Sequence, residues 1–260
     1  MKKIFSFSKS EGARTQEEVI RRKTIVSFLV FFGLMALAVL GWRQLRNPAP
    51  GRLSNGIQKP LRKVLDANGK IFGSNFDSQH LSKTYPVSAA ARRVRVNGNI
   101  GMGGNFDPQT WKLQVVKTGG DTLLLTLNDI KKLPKTEIVF DFKCIEGWSQ
   151  ITHWGGVKFS DFVKAYHLEK EASLEYIGMN TPDKKYYVGI DMPSALHPQT
   201  LLCYEMNDKP LPLDQGMPLR MIIPVKYGIK SLKRIGTLFF SNARPADYWF
   251  EQGYDYNSGL

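Results

Sequence analysis

Apolar and polar positions divide the chain into unlike stretches. Residues 1–23 are polar and charged and are expected to form a tail. Residues 24–42 are an uncharged, mostly apolar run of 19 residues, bounded by Arg21-Arg22-Lys23 and by Arg43. At a rise of about 1.5 Å per residue, a helix of that length nearly crosses a hydrocarbon layer of about 30 Å. A buried soluble helix needs an amphipathic stripe that this run lacks, so a transmembrane anchor is predicted. The run is also too long for the apolar part of a typical signal peptide, and no convincing small-residue cleavage site follows it. Residues 43–85 read as a stalk or linker. Asn47-Pro48-Ala49-Pro50-Gly51 and Ser54-Asn55-Gly56 break regular structure, and Gly69, Gly73 and Pro86 are expected to keep the rest irregular.

Over residues 86–260 the pattern becomes short alternating runs, densest from Val94 to Phe240. Strands are predicted over 112–116, 123–127, 137–142, 174–179, 186–190, 204–207, 219–225 and 235–240. Helices are predicted over 129–133 and 160–166, the second capped by Ser160, while 196–202 suits a helix or a turn. Short strands with few helices make this an α+β domain rather than a doubly wound sheet.

Composition adds a core and a charge. The chain is 42% hydrophobic, which excludes global disorder. It carries 36 basic and 23 acidic residues, a formal charge of +13, which favours an anionic partner. Nucleic acid is not predicted, because no recognition-helix, zinc-finger or RNP pattern is present. Basic residues flank both ends of the apolar run in similar number, so charge does not orient it. Arg21-Arg22 is compatible with a twin-arginine export signal, without the usual phenylalanine two positions on.

Two cysteines, Cys144 and Cys203, permit one disulfide but no CxxC pair for zinc or redox exchange. Cys144 ends an apolar strand, follows Lys143 and precedes a turn at Gly147. An adjacent cation favours thiolate, the form that attacks carbon or binds a metal. A buried free cysteine is the competing reading, and Cys203 looks like core.

The segments Cys144-Ile145-Glu146-Gly147-Trp148-Ser149, Trp154-Gly155-Gly156-Val157, Ala195-Leu196-His197-Pro198-Gln199-Thr200 and Gly216-Met217-Pro218-Leu219-Arg220, the last continuing through Ser231-Leu232-Lys233, occur in order over residues 94–245. In them the chain resembles the molybdopterin-binding domain of the sulfite oxidase family, most closely the branch of the periplasmic protein-methionine-sulfoxide reductase catalytic subunit. The resemblance implies the sulfite-oxidase-type fold and a molybdenum centre held by one molybdopterin dithiolene, with Cys144 as the protein ligand. A soft thiolate suits such a metal. It further implies cofactor contacts from Thr181, Arg220, Ser231, Leu232 and Lys233. Gln215 stands where the family has Asn or His, and Asn97 and Asn99 are candidates for an N-terminal contact. Arg220 offers a planar fork to phosphate oxygens, and residues 228–231 are read as a nest of amides beside Lys230 and Lys233. His197 is a candidate for orienting a loop near the pterin, or a cap or packing residue. Glu146 is a candidate for handling protons, or a partner for a lysine.

Sulfite oxidases keep a basic residue a few positions after the cysteine, where Ser149 stands here; this argues against sulfite as substrate. No fused haem or dimerisation domain is expected in this sequence, so electrons must pass through a separate partner. The leading expectation is a membrane-anchored, periplasmic molybdenum oxidoreductase transferring oxygen from an S-oxide, with a membrane haem protein or soluble cytochrome as electron partner. A non-enzymatic anchored binding domain is one alternative. A cysteine-nucleophile hydrolase, with His153 as base to Cys144, is the other.

Overall fold

The computed structural model describes residues 15–48, 57–103 and 106–260. Residues 1–14 of the tail expected over 1–23, and the stalk breakers at 49–56, lie outside these residues. The first helix, α1 (Gln16–Leu45), begins with a capping box in which Thr15 and Glu18 satisfy one another's backbone amides. None of its residues is buried, and it is long and apolar enough to cross a membrane.

A second helix, α2 (Lys59–Ser74), occupies the stretch expected to be irregular. Gly69 and Gly73 are tolerated inside it at about 1 kcal/mol each, and Pro60 sits in its first turn, where a missing amide costs nothing. Tertiary anchoring outweighs the glycines. Arg62 is buried and donates to the carbonyls of Phe250 at 2.6 Å and Tyr254 at 3.1 Å, with its guanidinium 3.8 Å over the Phe250 ring.

Two sheets, one mixed and one antiparallel, carry the domain. The first has the order β2-β1-β10-β5-β6, from β1 (Leu113–Val116), β2 (Thr122–Leu125), β5 (Tyr176–Asn180), β6 (Tyr187–Asp191) and β10 (Thr237–Ser241). Only β1 and β10 pair in parallel there. The second is antiparallel, with β3 (Thr136–Lys143), β4 (Ser149–Lys158), β7 (Leu201–Met206) and β8 (Lys209–Pro210) in that order and β9 (Arg220–Ile222) paired to β7. Leu113, Val115, Ile177, Met179, Leu219, Met221 and Leu238 belong to the main core, and Ile138, Phe140, Trp154, Leu201 and Ile222 to a smaller one.

Short helices close the sheets. These are α3 (Leu127–Lys131), capped by Thr126, then α4 (Phe159–Ala165), α5 (Met192–Ala195), capped by Asp191, and α6 (Tyr248–Glu251). Ser160 is not the cap of α4: Lys158 occupies that place without a side-chain bond, and Ser160 lies in the first turn. The segment 196–202 is not a helix but a turn leading into β7, the helix having formed four residues earlier at the Asp191 cap. The ten-residue β4 was not anticipated. Its Gly155-Gly156 pair admits β7, since a Cβ on Gly156 would lie 2.1 Å from the Leu202 carbonyl oxygen.

Candidate functional site

The β3–β4 hairpin positions the thiol. Its register runs from Thr136 opposite Gly156 to Lys143 opposite Ser149, leaving Cys144 to Trp148 as the connection. Cys144 N–H donates to Trp148 O at 2.9 Å, Gly147 N–H donates to Cys144 O at 3.0 Å, and Gly147 takes a φ of 87° that glycine adopts without strain. Cys144 is 6% exposed and lines a cavity, with Asn97 Nδ2 3.5 Å from its Sγ. Cys203 is also free but sits in the smaller core, where burial pushes its thiol far up.

Alternation along β4 sends Gln150, Thr152 and Trp154 into that cavity and His153 to the opposite face. There His153 Nε2 lies 3.3 Å from Glu137 Oε2, and its Nδ1 lies 3.8 Å from Asp208 Oδ2. His153 is therefore no base for Cys144, and the hydrolase reading loses its second residue.

Across the cavity stands a buried cation. Arg220 donates through one terminal nitrogen to Gln215 O at 3.0 Å and Gln215 Oε1 at 3.1 Å, and through the other to Ser231 O at 3.3 Å. Its guanidinium lies 4.6 Å over the Trp154 ring. Burial lowers its pKa to about 10, and the nearest opposing influences are Cys203 and Tyr186 rather than a carboxylate. Its Nε and the Ser231 hydroxyl are buried without a hydrogen-bond partner among the described residues. A buried cation with spare donors and no carboxylate is an incomplete arrangement that an anionic ligand completes. The site thus fits a phosphorylated cofactor by its own chemistry.

Lys233 adds a second cation. It gives hydrogen bonds to the carbonyls of Asn97 at 2.7 Å, Gly98 at 2.5 Å and Asp214 at 3.3 Å. Burial, reinforced by Arg220, lowers its pKa to about 8. Lys230 does not serve the same purpose, because its Nζ is held by Asp247 at 2.6 Å, both side chains being buried. Nor are all the amides of residues 228–231 open as a nest: those of Lys230 and Ser231 donate to the carbonyls of Tyr227 and Gly228.

The expected site residues separate into two groups. Asn97, Cys144, Glu146, Gln215, Arg220, Ser231 and Lys233 line the one cavity. Thr181, Asn99, Leu232 and His197 do not. Thr181 stands behind the wall, donating to Asp183 at 2.6 Å and accepting from the Tyr186 amide at 3.2 Å. Asn99 accepts the Met102 amide in a turn whose neighbours Gly98 and Ile100 face the cavity. Leu232 is wholly buried in the main core, which aims Ser231 and Lys233 the other way. His197 is buried against Phe76, with Nε2 3.3 Å from His80 O and Nδ1 accepting from the Gln199 amide, so it packs rather than lines.

Other wall residues were not among the expected site residues. Arg95 stacks 4.6 Å over Trp148 at the rim, and Trp148 donates to Glu146 at 3.2 Å. Arg95 brings a cation to the cavity where Ser149 brings none; the Arg92-Arg93-Val94-Arg95 run was the available hint. Tyr186 donates to Ile229 O at 2.8 Å and faces inward. Trp249 and Tyr254 also face it, edge to face with centroids 5.2 Å apart.

Comparison with known proteins gives this geometry a family. The model of the oxidoreductase molybdopterin binding domain matches residues 100–249. A putative protein-methionine-sulfoxide reductase subunit YedZ1 of Azospira oryzae is 34% identical over 205 residues, 78% of this chain and 77% of that protein. The protein-methionine-sulfoxide reductase catalytic subunit MsrP of Campylobacter jejuni is 30% identical over 168 residues, 58% of this chain and 55% of MsrP. The sulfane dehydrogenase SoxCD of Paracoccus pantotrophus is a solved structure with a TM-score of 0.49 and 16% identity, over 64% of this chain and 46% of that one. The chain spans about half the length of that MsrP. With more than half of its residues matched, the chain belongs to the oxidoreductase molybdopterin-binding domain family and is an oxidoreductase enzyme.

Proposed function

We propose that this chain is a membrane-anchored molybdenum oxidoreductase that removes oxygen from an S-oxide. The observation that carries it is the sharing of one cavity by the Cys144 thiol and the carboxylate-free Arg220 with its unpartnered Nε and neighbouring Ser231 hydroxyl. Cys144 is the ligand to molybdenum, while Arg220, Ser231, Lys233 and Asn97 hold molybdopterin. When bound, the cofactor supplies two-electron redox chemistry at the metal.

The protein's share is binding, orientation and charge. The hairpin turn fixes the sulfur, and the Asn97 amide nitrogen, 3.5 Å from it, donates to it and helps hold its position. Arg220 and Lys233 keep positive charge against the cofactor's anionic end. Trp148 and Arg95 form the rim on which substrate rests, and Glu146 Oε2, exposed beside them, relays protons from water. The net reaction takes an S-oxide, two electrons and two protons to a sulfide and water. The S-oxide is inferred from the names of the relatives, which are protein-methionine-sulfoxide reductase subunits. Electrons come from a separate membrane haem protein or soluble cytochrome. Residues 24–42, within α1, anchor the chain, and the catalytic domain faces the periplasm.

Metal and pterin analysis of protein purified from cells that make the cofactor tests the reading. About one molybdenum per chain is expected, lost in Cys144→Ser with the circular dichroism unchanged. Full molybdenum in Cys144→Ser, or none in the parent protein, would sink it.

A further inference from the structure

Helix α2 has a held side and a bare side. Arg62 fastens it to the domain through the carbonyls of Phe250 and Tyr254. Leu61, Val64, Ile71 and Phe72 are instead 57%, 56%, 58% and 68% exposed. Their spacing puts them on one stripe of the helix, interrupted only by the polar Asn68, while Lys59, Lys63 and Lys70 occupy the opposite side. Four large apolar side chains left bare in one stripe are a contact surface.

The path of the chain says what covers it. Lys59 N–H donates to Asn47 O at 2.7 Å, and Pro48 pairs with Gln58. The first turn of α2 is therefore bonded to the chain two residues beyond the end of α1. That end carries Trp42, Arg43 and Arg46, an aromatic and two cations of the kind that settle at a bilayer's polar boundary. If α1 crosses the membrane, α2 starts at the lipid surface with no slack to leave it.

We propose that α2 lies in the headgroup layer of the bilayer crossed by α1, with Leu61, Val64, Ile71 and Phe72 at the acyl boundary and its lysines toward water. This rests on the reading of α1 as the anchor. The occupant of the stripe is lipid, not a second copy of the chain. The arrangement also orients the cavity. Arg62 grips the Phe250–Tyr254 segment, and Trp249 and Tyr254 form one cavity wall, so that wall is held close to the membrane.

Full-length protein in vesicles of phosphatidylethanolamine and phosphatidylglycerol provides the test. Spin labels are attached singly at Leu61→Cys, Lys63→Cys, Ile71→Cys and, within α1, Val30→Cys; Cys144 and Cys203 are both buried. Labels at 30, 61 and 71 are expected to collide more with oxygen than with a water-soluble nickel chelate, and the label at 63 the reverse. Lipid contact at 30 with water contact at 61 and 71 overturns the proposal and leaves the anchor standing. Water contact at 30 overturns the anchor, and the proposal with it. Dipolar broadening between labels at 61 on separate chains shows a second copy on the stripe, which also overturns it.

Discussion

Gln215 braces Arg220 against the cavity-lining segment of Val94 and Arg95. Its Oε1 accepts from Arg220 at 3.1 Å, while its Nε2 donates to Arg95 O at 3.2 Å and reaches Val94 O at 3.5 Å. One amide thus ties the buried cation to the segment that supplies Arg95 and Asn97. Gln215→Ala removes a hydrogen bond to a charged group and should cost about 1–2 kcal/mol. Denaturant midpoints check that, and pterin fluorescence per chain should fall several-fold in the same variant.

Arg220 separates holding the fold from holding the ligand. Arg220→Met removes a buried charge that no carboxylate among the described residues balances, offset by the carbonyls left without a donor. The cofactor-free protein should therefore change by less than about 2 kcal/mol. Molybdenum and pterin content should drop at least about tenfold, since about 1.4 kcal/mol of lost binding is already a factor of ten. Arg220→Lys keeps the charge without the fork and should fall between the two. Melting curves of the cofactor-free forms, paired with metal analysis, decide it.

Lys233 makes cofactor retention depend on pH. With its pKa lowered to about 8, the folded cofactor-free protein holds fewer protons there than the unfolded chain between about pH 8 and the ordinary lysine range. Its contribution to cofactor-free stability accordingly rises with pH across that window. Binding of an anion runs the other way, because only the protonated amine attracts it. Pterin retention should weaken as pH passes through about 8, and Lys233→Arg should flatten that dependence. Gel filtration at a series of pH values, followed by fluorescence of the protein peak, measures it.

Arg95 should select substrates by charge. It is exposed at the rim, so its pull is modest, at most about 1 kcal/mol, or roughly fivefold. Arg95→Gln should raise KM for a carboxylate-bearing S-oxide by that factor, leave KM for dimethyl sulfoxide unchanged and leave kcat unchanged for both. Steady-state rates with a reduced dye as electron donor test the split. An equal rise for both substrates would assign Arg95 to shape rather than charge.

The legible parts of this chain were those written in short contiguous runs. Cys144, with Gly147 three residues on, announces a turn that carries a thiol, and Arg220 among apolar neighbours announces a cation with no place on the surface. Most strands could be read from period-two alternation. The unread parts depend on distant partners. Helix α2 was hidden by two glycines whose cost is offset by an arginine reaching residues 250 and 254. Strand β4 was hidden by glycines that exist for the neighbouring strand's sake. Tyr186, Trp249 and Tyr254 reach the cavity from separate elements, and nothing local distinguishes them from packing aromatics. His197 shows the converse, a conspicuous residue whose ring is already engaged.

Gly228 lies where the loop bearing Ser231 meets the hairpin bearing Cys144. A methyl group placed there would fall 2.5 Å from the Phe142 ring and 3.4 Å from the Lys143 carbonyl oxygen. The two flanks of the pocket are thus seated directly on each other, with no spacer between them. Sulfur and guanidinium keep their separation through that seam, and a single added carbon would pry it open without touching either of them.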